Sequence, residues 1–209
     1  MTRILLVDDH AVVREGLKQI LAESIPEVAF GEAGTGEEAL EKAEEGTWDV
    51  VVLDMSLPDR TGIDVLKELR QTHPRLPVLV LSMHPEEQFA VRALKAGAAG
   101  YVTKRTAARD IAAAVQKALA GGKYVSATLA EKLAGELHTG AEAAHERLSD
   151  REFQVFRMLS GAKTVKQISE ELSLSRQSVS TYRGRILEKM GLTTNDELTE
   201  YALQNGLLK

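Results

Sequence analysis

Up to about residue 120 the chain alternates between two hydrophobic rhythms. Short apolar runs, "RILLV" from Arg3, "VAFGEA" from Val28, "DVVVLD" from Asp49, "PVLVLS" from Pro77 and "GYVTK" from Gly100, are rich in Val, Leu and Ile and bounded by charge, Pro or Gly. Runs of that length and composition predict buried strands. Between them the apolar positions recur at helical spacing; Val12, Val13, Leu17, Ile20 and Leu21 predict one buried helix face. Thr35, three residues before Glu38, predicts a capping box opening the next helix. Asp110 to Leu119 predicts the last helix of this half, stopped by Gly121-Gly122. Five strands alternating with five helices predict an α/β fold, a five-stranded parallel doubly wound sheet with helices on both faces. In such sheets ligands bind beyond the carboxyl ends of the strands.

After Gly122 the rhythm changes. "SATLAEKLAGEL", 126–137, is compatible with one more helix, and "HTGAEAAHE", 138–146, is small and polar, as in a linker. From Leu148 onward four helical segments follow with no strand pattern. Ser149 with Glu152 marks one helix start, Thr164 opens a short helix through Leu172, and Ser175 caps a long one. On the long helix Val179, Tyr182, Ile186 and Met190 predict the core face, and Gln177, Ser180, Thr181, Gly184 and Glu188 the opposite one, with Arg185 on a flank. A final helix runs from Asn195 to about Asn205. The chain therefore divides into an α/β domain over 1–121, a linker over 122–146 with a possible helix, and a small all-α helix-turn-helix domain over 147–209.

Composition narrows the function. The 209 residues suit two domains, and 44% apolar residues suffice for real cores, which excludes wholesale disorder. With no cysteine, disulfides, thiolate metal sites and cysteine nucleophiles are excluded together. The chain opens on a strand-like segment without a signal peptide's basic start, and no apolar run is long enough to span a bilayer, so a soluble cytoplasmic protein is expected. The net charge of -5 is uneven: from Arg147 onward 10 Lys and Arg face 8 Asp and Glu, whereas residues 1–146 hold 16 against 23. An acidic first part and a mildly basic second part point to different partners.

The strand ends carry the candidate chemistry. Asp8 and Asp9 follow the first strand, Asp54 ends the third, Ser82 the fourth, and Lys104 the fifth. Three carboxylates against one ammonium leave a deficit of two charges on one rim. A bound Mg²⁺ would close it, and acidic oxygens without Cys or His partners suit such a hard cation better than zinc.

"LVDDH", "VVLDMSLPDRTG", "LVLSM" and "GYVTK" resemble the receiver domain of bacterial two-component response regulators over residues 3 to about 120. The resemblance implies that Asp54 accepts a phosphoryl group from a phosphohistidine of a sensor histidine kinase. It implies that Mg²⁺ is held by Asp9, Asp54 and the carbonyl of Ser56, with Asp8 helping through water. It also implies that Lys104 and Ser82 contact the phosphoryl oxygens, and that Tyr101 is an aromatic switch coupled to Ser82. Ser56 and His84 match positions that tune dephosphorylation in this family, while His10 is expected to begin the first helix. Arg105 stands where many receivers carry proline, so no cis bond is assumed there.

From Leu148 on, "LSDRE", "QISEELSLS", "SVSTYR", "ILEKMGL" and "ELTEYAL" resemble the LuxR-type module of the NarL/FixJ family, the "VSTYR" variant being similar to its GacA-like and BvgA-like branch. In that scheme the second helix enters the major groove of double-stranded DNA. Ser180, Thr181 and Gly184 match base-reaching positions but are small here, which shifts base readout to Gln177 and Arg185. Arg176, Arg183, Lys163 and Lys166, with Thr164 at its helix start, are the candidates for backbone contacts. Leu198, Tyr201 and Ala202 of the final helix serve either a homodimer contact or packing under the recognition helix. The expected function is a DNA-binding transcription factor switched by phosphorylation of Asp54, not a turnover enzyme and without a membrane partner. The alternatives are a Mg²⁺-dependent aspartyl-phosphate phosphatase, which would want a second aspartate at position 56, a LuxR-type regulator sensing a small molecule, and a receiver that works without phosphorylation.

Overall fold

The computed structural model describes residues 1–126, 129–131 and 143–208, and the chain divides into two units, Met1–Thr139 and Gly140–Lys209. Most of the expected helix over 126–137 and of the linker over 138–146 lies outside the described residues.

The first unit alternates strands and helices: β1 (Thr2–Val7), α1 (Ala11–Ser24), β2 (Val28–Ala33), α2 (Gly36–Glu45), β3 (Val50–Asp54), α3 (Gly62–Thr72), β4 (Val78–Ser82), α4 (Glu86–Lys95), β5 (Gly100–Thr103) and α5 (Ala107–Leu119). The five strands form one parallel sheet in the order β2-β1-β3-β4-β5. Because successive side chains leave a strand on opposite faces, Ile4, Leu6, Val50, Val52, Leu79 and Leu81 meet Leu17, Leu21, Ile111 and Val115 of α1 and α5. The intervening Leu5, Val51, Leu53 and Val80 are equally buried. Burial on both faces is what the unbroken apolar runs encode. The chain leaves β1 for β2 on one side and returns to β3 on the other, which opens a crevice at the carboxyl ends of β1 and β3.

Three local expectations are corrected. Val12 is 85% exposed. It precedes Leu17 by five positions, roughly 140° around the helix, whereas Val13 lies in line with Leu17 and Leu21. The capping box on α2 is half-formed: Thr35 Oγ1 accepts from Glu38 N at 3.1 Å, but the Glu38 carboxylate turns to Gly34 N at 2.7 Å and to Lys42. Helix α5 begins at Ala107, three residues before Asp110, because Ala107-Ala108 are strong helix formers.

The second unit holds a 3₁₀ turn (Ala144–Arg147), then α6 (Asp150–Ser160), α7 (Val165–Glu171), α8 (Arg176–Met190) and α9 (Asn195–Gln204). Phe153, Phe156, Ile168, Val179, Ile186, Leu198 and Ala202 make its core. On α8, Tyr182 is only half-buried and Leu187 joins the core face in its place. Leu198 and Ala202 are fully buried, and the carbonyl of Leu198 accepts from Ser160 Oγ of α6 at 3.2 Å. The Tyr201 hydroxyl lies 3.0 Å from His145 Nδ1. Leu198 and Ala202 therefore pack within their own unit, where α9 lies against α6, and the half-buried Tyr201 meets Phe156 and the 3₁₀ turn. The exposed apolar residue of α9 is Leu203.

Ser149 and Glu152 form a complete capping box at the start of α6. Glu152 is buried; it accepts from Ser149 N at 2.7 Å and from Lys189 Nζ at 2.6 Å. Burial alone would raise its carboxyl pKa, but Lys189 and the Ser149 donors outweigh it and hold it below the ordinary 4.5. A depressed folded value means this contribution is present above the unfolded pKa and lost as pH falls through the folded one. Glu152→Ala removes the buried acceptor of the Ser149 N–H and of the partly exposed Lys189 ammonium and is expected to cost about 2 kcal/mol. Urea unfolding followed by helical circular dichroism measures it; a loss under about 0.5 kcal/mol, less than an ordinary cap deletion, would refute this role for the Glu152 carboxylate.

Candidate functional site

The crevice predicted by the strand order is where the acidic residues gather. Asp54, the last residue of β3, is 2% exposed, and Asp8, directly after β1, is 1% exposed. Lys104, one residue beyond β5, places Nζ 2.8 Å from Asp54 Oδ2 and 2.6 Å from Asp8 Oδ2. Its backbone N–H donates to the Ser82 carbonyl at 2.7 Å, which fixes where the side chain starts. Burial pushes the Asp54 carboxyl from the ordinary 3.8 up to about 6; Lys104 and the Ser56 N–H pull it down, and the Asp8 charge adds to the rise. Burial would lower the Lys104 ammonium, yet its two carboxylate partners raise it above the ordinary value. Two buried aspartates thus share one cation.

Asp8 Oδ1 accepts from His10 N at 2.9 Å. Asp8 Oδ2 has no directed hydrogen bond; its 2.6 Å contact with Lys104 is an ion pair at an unfavourable angle, which leaves this buried oxygen with lone pairs to offer. Asp9 lies at the rim, its Oδ1 2.6 Å from His10 Nδ1. Asp8, Asp9 and His10 each bring a ligand-capable atom to within 4.8 Å of the others. Two adjacent carboxylates, an incompletely satisfied buried oxygen and a third carboxylate on Asp54 fit a hard divalent cation.

The loop after β3 is drawn tight. Ser56 pairs with Thr61, Gly62 N donates to Met55 O at 2.9 Å, and the Gly62 Cα lies against the Asp54 backbone, where a Cβ would stand 2.2 Å from the Asp54 carbonyl oxygen. Ser82 is fully buried at the end of β4, and its Oγ accepts from His84 N at 3.0 Å. Tyr101 is buried, and its hydroxyl donates to the His84 carbonyl at 3.0 Å, so this hydroxyl is not solvated. The His84 ring stacks on Phe89, centroids 4.5 Å apart. Ser82, His84 and Tyr101 thus form one connected string. Among the described residues every peptide bond is trans, that before Arg105 included.

Sequence reasoning missed two neighbours of this site. Arg14 donates from its guanidinium to the Asp8 carbonyl and, through Nε, to Glu32 at 2.8 Å. Its place one turn into α1, facing the end of β1, was the available signal. His10, expected only to begin α1, also closes on the doublet it follows, its Nδ1 3.2 Å from Asp8 Oδ1 and 2.6 Å from Asp9 Oδ1.

In the second unit α7 and α8 are joined by a tight turn in which Ser173 adopts φ 52° and Leu174 N donates to Ser169 O at 2.9 Å. Ser175 Oγ accepts from Ser178 N at 3.0 Å and starts α8. Gln177, Ser180, Thr181, Gly184, Glu188 and Arg185 are exposed along α8, as the pattern predicted, and so is Arg176 at its start. Arg183 is half-buried, with Nε donating to Asn195 Oδ1 at 2.7 Å. Lys163 is paired with Glu171, Lys166 lies 3.9 Å from Glu170, and the Thr164 hydroxyl is engaged in capping α7. Nothing lies within 4 Å of where a Gly184 Cβ would stand, so packing within the unit does not require this glycine.

Comparison with known proteins covers both units. A family model described as the response regulator receiver domain matches residues 4–116, and one described as bacterial regulatory proteins, luxR family, matches residues 146–202. The chain is 36% identical to the response regulator GacA of Pseudomonas viridiflava over all of this chain and 98% of that protein. It is 37% identical to the transcriptional activator protein ExaE of Pseudomonas putida over 99% of this chain and 98% of that protein. Among solved structures, RcsB from Salmonella enterica serovar Typhimurium, bound to promoter rprA in the presence of phosphomimetic BeF3-, is similar with a TM-score of 0.64. The two are 25% identical, with 96% of this chain and 97% of that one covered. Among the described residues no helix is long and apolar enough to cross a membrane.

Proposed function

The chain belongs to the response regulators of the NarL/FixJ family, in which a receiver domain is joined to a LuxR-type DNA-binding domain, and we propose that it is switched by phosphorylation of Asp54 by a sensor histidine kinase. This is a family of regulators rather than of turnover enzymes. The observation that carries the proposal is the buried Asp54 carboxylate held 2.8 Å from Lys104 at the strand-order crevice.

Its charge pattern matches what phosphoryl transfer requires, positioning and neutralisation more than acid–base chemistry. An Asp54 oxygen attacks the phosphorus as the bond to the kinase imidazole nitrogen breaks, so the phosphoryl group moves and the imidazole leaves. Lys104 exchanges its Asp54 contact for a phosphoryl oxygen, and the Ser82 hydroxyl, released from His84 N, donates to another. Asp9, Asp54 and the Ser56 carbonyl would hold Mg²⁺, with Asp8 assisting through water. Bound there, the ion supplies the positive charge that keeps Asp54 ionised and offsets the phosphoryl oxygens. Movement of Ser82 bears on His84, and through the His84 carbonyl on Tyr101, which makes this string the path by which phosphorylation reaches the α4–β5–α5 surface.

In the DNA-binding domain the proposal gives base readout to Gln177 and Arg185, with Ser180, Thr181 and Gly184 lining the close approach. Arg176, Arg183, Lys163, Thr164 and Lys166 supply backbone contacts, and phosphorylated copies pair as a homodimer on two half-sites. The domains are taken as 1–121 and 147–209, with the linker between. The RcsB relative, bound to promoter rprA in the presence of phosphomimetic BeF3-, supports this reading.

Incubation with acetyl phosphate and Mg²⁺ followed by intact-mass measurement tests the switch. A gain of one phosphoryl mass, absent in Asp54→Asn, is expected; equal gain in both sinks the assignment. For DNA, Arg176→Ala is expected to flatten the slope of log affinity against log salt by about one unit without changing sequence preference. An unchanged slope removes Arg176 from the backbone contacts.

A further inference from the structure

We propose that Asp59 is a positioning residue for phosphoryl acceptance: its carboxylate clasps the start of α2 and so fixes the loop that carries Ser56 beside Asp54. The inference rests on the function proposed above and deepens it.

Asp59 Oδ1 accepts from Gly36 N and Oδ2 from Glu37 N, each at 2.9 Å. These are the first two N–H groups of a helix whose partial positive end favours a carboxylate. Burial works against the charge, but the donated backbone N–H groups prevail and hold the carboxyl below its ordinary value. The clasp is not needed to start the helix. Thr35 already caps it through Glu38 N, and Glu38 closes the turn on Gly34 N. What Asp59 adds is a link between two loops 22 and 23 residues apart in sequence.

The loop concerned runs from Asp54 to Gly62. Its base is anchored on α3, where Thr61 Oγ1 accepts from Asp64 N and donates to Asp64 Oδ2 at 2.6 Å, and by the pairing of Ser56 with Thr61. Its tip is held by Asp59. Next to Asp59, Arg60 bonds Glu68 at 2.9 Å, and its side chain passes so close to Gly36 that a Cβ there would lie 2.5 Å from it. On the far side, Asp8 N donates to Ala33 O at 3.1 Å, tying the β1 end to the β2 end that leads into α2. Asp8, the α2 start and the Asp54 loop are thereby joined in one arc around the acidic crevice. Ser56, whose N–H lowers the Asp54 pKa and whose carbonyl is assigned to the cation, sits at the base of this loop, paired with Thr61.

Thr35→Ala is the matched control, since it weakens the same helix end without touching the loop. Wild type, Thr35→Ala, Asp59→Ala and Asp59→Asn are compared in the full chain. The readouts are thermal midpoint, Mg²⁺ affinity by calorimetry and the rate of phosphoryl uptake from acetyl phosphate at saturating Mg²⁺. Both alanine variants are expected to lower the midpoint. Asp59→Ala alone is expected to weaken Mg²⁺ binding and slow uptake, each by about tenfold, as losing the support behind a ligand does. Asp59→Asn, which keeps one acceptor oxygen, should fall between and stands in if the alanine variant does not fold. Mg²⁺ affinity and rates in the Asp59 variants within about twofold of Thr35→Ala would overturn the proposal and leave Asp59 as a helix cap. A wild type that takes up neither Mg²⁺ nor phosphoryl would instead overturn the function itself, and this inference with it.

Discussion

Gly62→Ala is expected to destabilise the receiver by about 3 kcal/mol and to cut phosphoryl uptake severely. The added methyl carbon would stand 2.2 Å from the Asp54 carbonyl oxygen and 2.8 Å from Met55 Cα. Both are backbone atoms, so no rotamer change relieves the clash. Either the loop after β3 lifts or α3 is pushed away; the first displaces Ser56 from Thr61, and both shift Asp54 relative to Lys104. Urea unfolding of the full chain, with the receiver transition followed by the fluorescence of Trp48, gives the stability. Uptake from acetyl phosphate gives the activity. A variant with wild-type midpoint and rate would mean that the loop is far softer than its hydrogen bonds imply.

Asp54→Asn should make the same domain more stable while abolishing phosphoryl acceptance. Burial holds the Asp54 carboxyl at about 6 against an ordinary 3.8. Between those two values the folded state binds the extra proton and the unfolded state does not. Stability therefore falls as pH rises through that window, and the full cost, roughly 3 kcal/mol, is present above it. Asparagine removes the charge yet keeps an oxygen for Lys104 and Ser56 N–H, so most of that cost should be recovered, a gain of about 2 kcal/mol. The measurement is a pH series of urea midpoints for both proteins in chelator. The wild type should lose stability across the window and the variant should not. Equal midpoints at neutral pH, or the same pH slope in both, would contradict the account.

Both results concern one arrangement. Asp8 and Asp54 are buried with a single ammonium between them, and the fold bears the cost of that unneutralised charge at the site proposed for phosphoryl acceptance. A cation or a phosphoryl group arriving there changes the electrostatic balance of the whole crevice, and Lys104 and Ser82 are the two contacts free to re-form. That is the physical sense in which the proposed site would act as a switch rather than a static pocket.

Much of this was legible in the chain itself, for reasons that are local. Apolar runs of about four to six residues without alternation, separated by helical segments, read as strands covered on both faces, which points to a parallel sheet. The strand ends in turn bring Asp8, Asp54, Ser82 and Lys104 to one rim whatever the loops do. Helix starts at Thr35, Ser149, Thr164 and Ser175 were readable because a cap involves residues three positions apart, and the polar face of α8 because helical spacing is fixed. What spacing cannot say is which of several compatible partners a side chain takes. Whether Val12 faces the sheet, whether Glu38 returns to Thr35 or to Gly34, and whether Leu198 and Ala202 look outward or onto α6 depend on neighbours distant in sequence. The same holds for the Asp59 clasp, for Arg14 at the Asp8 carbonyl and for the clash that demands glycine at 62. The chain's periodicity determined the sheet, the helices and the identity of the acidic rim, since each is set by residues a turn or a strand apart. Only the tertiary structure decided how that rim is held, because its supports are donors and backbone atoms brought together from loops more than twenty residues apart.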